Sequence, residues 1–82
     1  MDINKIPKQF CDNVSIGFSQ EFFAMGIHAG EGGAMYALTP QHMKRLAQNI
    51  AFQISEYEKK FGAINAEWKP GVESPIQPKD VA

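Results

Sequence analysis

The sequence predicts an α+β protein in which a three-stranded antiparallel meander is followed by, and packed against, one long C-terminal helix. Three observations carry this. Between Asn13 and His28, apolar residues alternate with small and polar ones at a period of two, the pattern of half-buried strands. A glycine-rich break, Ala29-Gly30-Glu31-Gly32-Gly33, then precedes a short apolar run. From Thr39-Pro40 onward the period changes to three and four residues and holds until Gly62, as in an amphipathic helix.

In the first strand, Val14, Ile16 and Phe18 alternate with Asn13, Ser15 and Gly17. Ser19-Gln20 interrupts, and Phe23, Met25 and Ile27 then alternate with Phe22, Ala24, Gly26 and His28. Two runs this close together pair as an antiparallel hairpin, because a parallel crossover needs a dozen or more residues. Ser19-Gln20 is not a favoured two-residue turn sequence, so the register of this hairpin stays open. The glycines of residues 29–33 tolerate positive φ and can reverse the chain. They lead into a third strand over Ala34–Leu38.

Thr39 is placed as an N-cap and Pro40 at the first helical position, where a missing N–H does no harm. The helix runs to Phe61, and Gly62 is expected to end it as a left-handed cap. Lys59 and Lys60 fall in the last turn, where the helix dipole favours cations. Met43, Leu46, Ala47, Ile50, Ile54, Tyr57 and Phe61 form one apolar stripe, which is expected to cover the sheet. Gln41, Arg45, Gln48, Glu56 and Lys59 form the opposite face, with Phe52 in its middle. Residues 1–9 read as a flexible arm, residues 10–64 as one domain, and residues 65–82 as a proline-punctuated flexible tail. Within the tail, Ile64 (just before it) and Trp68 could pack back on the domain. Pro75-Ile76-Gln77-Pro78 has the spacing of a polyproline II ligand, with an unstructured tail as the plainer reading.

Composition excludes several classes of function. The chain has 82 residues, 8 Lys+Arg against 9 Asp+Glu, and a formal net charge of -1. That charge is not the footprint of an obvious phosphate-backbone binder. With 44% hydrophobic residues, the chain is too apolar for wholesale disorder. No apolar run reaches the roughly 18 residues of a membrane span. The start lacks the charged head and apolar stretch of a signal peptide. Cys11 is the one cysteine, so neither an internal disulfide nor a thiolate metal cluster can form within one chain. These features point to a cytoplasmic protein. In that setting Asn13-Val14-Ser15 matches the glycosylation pattern by chance.

No enzymatic signature is present, and no cofactor is implied. Gly30-Glu31-Gly32-Gly33 lacks the spacing and the Gly-Lys-Ser/Thr ending of a phosphate loop. Cys11, His28, Glu31 and His42 have no recognised metal-ligand spacing. Glu56 and Glu58 diverge on the helix and read as solvated charges rather than an acid–base pair.

Self-association is expected on physical grounds. About 50 residues in three strands and one helix are marginal alone, and chains below roughly 70–80 residues usually need a staple or a partner. Phe22 should point away from Phe23, and Phe52 away from the stripe. With Trp68 they are the candidate oligomer or partner contacts, although a single exposed aromatic is also common. The function expected is a non-enzymatic, homo-oligomeric protein-interaction module: an adaptor, a chaperone-like protein or an inhibitor of a partner. The alternative is a nucleic-acid-binding accessory protein using Lys44, Arg45, Lys59 and Lys60.

The helix also carries a resemblance. Thr39-Pro40-Gln41-His42-Met43-Lys44-Arg45-Leu46, then Asn49-Ile50, then Tyr57-Glu58-Lys59-Lys60-Phe61-Gly62-Ala63-Ile64 resemble a widespread family of small prokaryotic proteins formed by a domain of unknown function. That family has a Ser/Thr-Pro-x-His-x-Lys-Arg-Leu helix start, a Tyr-Glu-x-x-Phe-Gly helix end and a preceding strand pair. The likeness spans about residues 11–64. The loop before the third strand departs from it, being shorter here and without the family's arginine-containing strand. The resemblance implies the sheet-plus-helix layout and carries over no catalytic residue.

Overall fold

The structure is a computed structural model and describes residues 1–71 and 73–76. Strand β1 spans Asn13–Phe18, β2 Phe23–Ala29 and β3 Gly32–Leu38, and helix α1 spans Pro40–Phe61. The three strands form one antiparallel sheet in the order β1-β2-β3. The chain therefore has the β-β-β-α arrangement that its periodicity predicts.

The turns differ in detail from the expected ones. Phe18 pairs with Phe23, so the β1–β2 loop has four residues, Ser19 to Phe22, closed by the Ser19 N–H donating to the Phe22 carbonyl at 2.9 Å. Phe22 thus belongs to the turn and not to the strand. The second reversal is tighter than the glycine run suggests. Ala29 pairs with Gly32, leaving Gly30-Glu31 as a two-residue turn. Gly30 takes φ +60°, and glycine with positive φ at the first central position is the signature of a type II′ hairpin turn. The freed residues extend β3 back to Gly32.

Pairing register sorts the side chains, because residues directly opposite each other share a face. One face carries Val14, Ile27 and Ala34, then Ile16, Met25 and Tyr36, then Phe18, Phe23 and Leu38. All nine are apolar or aromatic. Phe18 and Phe23 stack on it with ring centroids 5.7 Å apart. The other face carries Asn13, Ser15, Gly17, Ala24, Gly26, His28, Gly33, Met35 and Ala37. There, Met35 lies over Gly26, where a Cβ would come within 2.5 Å of the Met35 sulfur.

The helix begins and ends where its capping residues dictate. Thr39 Oγ1 accepts the His42 N–H at 3.1 Å, and the Met43 N–H donates to the Thr39 carbonyl at 2.9 Å. At the other end the Gly62 N–H donates to Glu58 O at 3.0 Å. Gly62 has φ 100° and ψ 166°. That is not the left-handed helical region expected of it but an extended region of positive φ open essentially only to glycine. The Glu58 carboxylate then accepts the Ile64 N–H at 2.8 Å, holding the chain as it leaves.

The expectation that the helix stripe covers the sheet is not met within one chain. No residue of α1 is buried, and among the described residues no hydrophobic side chain is buried at all. Among the described residues only Gly26 is buried. Only β3, to which α1 is joined, makes more than marginal contact with it. The junction is short. A single residue, Thr39, separates β3 from α1, and its φ of -62° and ψ of 155° are the extended torsions usual for an N-cap and favoured before proline.

Candidate interaction surfaces

Two apolar surfaces stand uncovered in the chain, and a third region is occupied by the chain's own tail. The first is the sheet face centred on Met25. Ile16, Phe18, Ile27 and Tyr36 are exposed there, while Val14, Phe23, Met25 and Leu38 are half-buried. The second is the α1 stripe. Met43 and Leu46 are half-buried near the junction, whereas Ile50, Ile54, Tyr57 and Phe61 are exposed further along. Tyr57 and Phe61, one turn apart, pack ring against ring at 4.9 Å. The sequence periodicity picks out both surfaces but not their lack of cover.

The third region is the outer edge of β1. Ser74 and Val14 exchange backbone hydrogen bonds, at 3.1 Å from the Ser74 N–H and 3.3 Å from the Val14 N–H. The Ile76 N–H donates to the Asp12 carbonyl at 2.8 Å. The Asn13 side-chain amide also donates to the Glu73 carboxylate. This is antiparallel pairing of residues 74–76 with residues 12–14. The tail therefore supplies partners to a sheet edge that would otherwise present free N–H and C=O groups. Sequence reasoning missed it because Pro75 and Pro78 mask a strand signal. Of the Pro-x-x-Pro segment, Gln77 and Pro78 lie outside the described residues. Asp12 adds a second tie: its carboxylate accepts the Gly30 N–H at 2.8 Å, fastening the β2–β3 turn.

The structure does not gather the candidate residues into one site. Phe22 lies in the β1–β2 turn and Trp68 in the segment after α1, both exposed. Phe52 projects from the middle of the outer helix face and is 60% exposed. At about 100° per residue it lies roughly opposite Ile50 and Ile54. Of the basic residues, Lys44 and Arg45 sit in the second turn, and Lys59 and Lys60 in the last. The two pairs are separated by about 22 Å along the helix axis at about 1.5 Å per residue. Lys59 is engaged by Glu56 at 3.0 Å. Both side chains of that pair are well exposed, so the bridge adds little to stability.

Other chemistry-bearing groups are scattered. Cys11 is exposed and its thiol faces the Asn13 carbonyl at 3.3 Å. His28 is half-buried on the sheet face that also carries Asn13 and Met35, and His42 is exposed in the first helical turn. Among the described residues no three His, Cys, Asp or Glu side chains are grouped to hold a metal ion. An open depression is lined by Gln9, Phe10 and the Ala29–Gly32 turn. None of the described helices is long and apolar enough to cross a membrane.

Comparison with protein-family models, with curated proteins and with solved structures gives no match. The resemblance of the helix motifs stands on the quoted residues alone.

Proposed function

We propose that this chain is a small, non-enzymatic, cytoplasmic module that assembles with copies of itself and docks another protein as an adaptor, chaperone-like protein or inhibitor. The observation that carries this reading is the coexistence of well-capped secondary structure with the absence of any buried hydrophobic side chain among the described residues. Burial of apolar surface is the main favourable term in folding. A chain that pairs its strands and caps its helix while leaving its apolar faces open draws that term from contact with other molecules.

Phe52 gives the reading its second half. Phe52 is 60% exposed on a face otherwise lined by Gln41, Arg45, Gln48, Glu56 and Lys59, and aromatic side chains are the groups that most often anchor an interface. Phe22 and Trp68 are further candidate anchors for the same partner.

Two measurements test the proposal. Light scattering of the purified full chain should give a particle heavier than one chain. Affinity capture from the native host should recover a protein with the full chain that is lost with Phe52→Glu. A monomeric particle with no captured protein would refute the reading. The nucleic-acid alternative has thinner support, since its four basic residues form two separated pairs. It predicts binding that falls steeply with salt as phosphate contacts are lost.

A further inference from the structure

We infer that α1 of one chain lies across the apolar sheet face of a second copy, and the reverse, in a reciprocally exchanged homodimer. The inference rests on the self-association reading above and specifies which surfaces meet.

The open side chains of the two surfaces set the scale. Phe18, Tyr36, Tyr57 and Phe61 are between 51% and 79% exposed, and Ile16, Ile27, Ile50 and Ile54 between 38% and 57%. At about 150–250 Å² per aromatic side chain, the four rings alone leave roughly 400–600 Å² open per chain. The four isoleucines add to this, toward the ~800 Å² per partner that a stable interface removes from water.

The chemistry of the open surfaces selects the occupant. The chain carries both halves of one interface, an apolar face of nine residues and an apolar helix stripe. A two-fold axis that places each stripe on the other chain's sheet covers both at once, as an isologous contact requires. An unrelated partner would have to cover two separate surfaces. The α1 helix, roughly 33 Å long at about 1.5 Å per residue, outreaches strands of seven residues, which span about 23 Å. It is long enough to cross a neighbouring sheet completely.

The connection between the two elements fits exchange. Thr39 alone joins β3 to α1, and a short hinge invites exchange of the element it carries when closing it within one chain is strained. In the exchanged dimer Phe52 remains on the outside, available to a different protein.

The test uses the wild-type protein. Isotopically labelled and unlabelled chains are mixed, allowed to re-equilibrate, and examined by isotope-filtered nuclear Overhauser spectroscopy, with the particle mass measured in parallel. The expected result is a particle of two chains whose intermolecular cross-peaks join Ile50 and Ile54 to Ile16, Met25 and Ile27. A two-chain particle with helix-to-sheet cross-peaks only within a chain would overturn the exchange and leave self-association standing. So would one whose intermolecular peaks join stripe to stripe, or one with no helix-to-sheet peaks of either kind. A one-chain particle would overturn both.

Discussion

Replacing Ile50 by alanine should weaken the dimer far more than replacing Phe52, although both side chains are exposed in the isolated chain. Ile50 sits at the centre of the apolar stripe and is 48% exposed, so nearly half of its surface is still available for burial. Complete burial of an isoleucine is worth about 1.5–3 kcal/mol. The half that remains is then worth roughly 0.7–1.5 kcal/mol, and two-fold symmetry counts it twice. Ile50→Ala should therefore cost roughly 1.5–3 kcal/mol per dimer, which raises the dissociation constant about 10- to 100-fold. Phe52 would gain nothing from the exchanged contact, so Phe52→Ala should change the constant less than about twofold, the usual scale for a surface substitution. Sedimentation equilibrium over a dilution series reads both numbers. Equal effects of the two substitutions, or an Ile50→Ala chain that dissociates like the wild type, would refute the stripe as the contact.

Four further outcomes follow from particular residues. Thr39→Ala removes the acceptor for the His42 N–H and should lower stability by about 1 kcal/mol, read from denaturant unfolding at fixed protein concentration. Gly62→Ala places a Cβ at φ 100° and should cost about 1–3 kcal/mol in the same assay, even though open space surrounds the site. Ser74→Pro removes the N–H donated to Val14 and should unpin the tail. Hydrogen exchange at the Val14 amide should then quicken, with little change at Ile16. Inserting a four-residue Gly-Ser linker between Leu38 and Thr39 frees the junction, and the particle should shift toward one chain as each helix reaches its own sheet. An undiminished dimer after that insertion would show that the hinge does not enforce the exchange.

Local features of the fold were legible in the sequence because local chemistry sets them. Thr39, Pro40 and Gly62 delimit the helix without reference to anything distant, and its bounds of Pro40 and Phe61 match the reading. The alternating runs likewise identify the strands. Less legible were the turns, where side-chain types permit several lengths. The four-residue Ser19–Phe22 loop and the two-residue Gly30-Glu31 turn are decided by which register brings Phe18 beside Phe23 and Ala29 beside Gly32. That choice keeps all nine apolar residues on one face, since a slip of one position would scatter them. The edge contact of Ser74 with Val14 was not legible at all. A backbone hydrogen-bond ladder leaves no side-chain periodicity when it spans three residues beside a proline.

The candidate contacts separate in the same way. Periodicity reveals that the stripe from Met43 to Phe61 and the face from Val14 to Leu38 both require cover, because each concentrates apolar groups on one side. It does not reveal whose surface supplies the cover. That depends on how α1 sits against a sheet, a tertiary relation that capping does not encode. Thr39 and Pro40 set where the helix starts, through the bond to the His42 N–H, and leave open what lies opposite Ile50 and Ile54. Within one chain α1 meets only β3 to any extent, so both apolar faces stay open. A second copy carries the matching surface for each of them at once, which is why it is the occupant proposed.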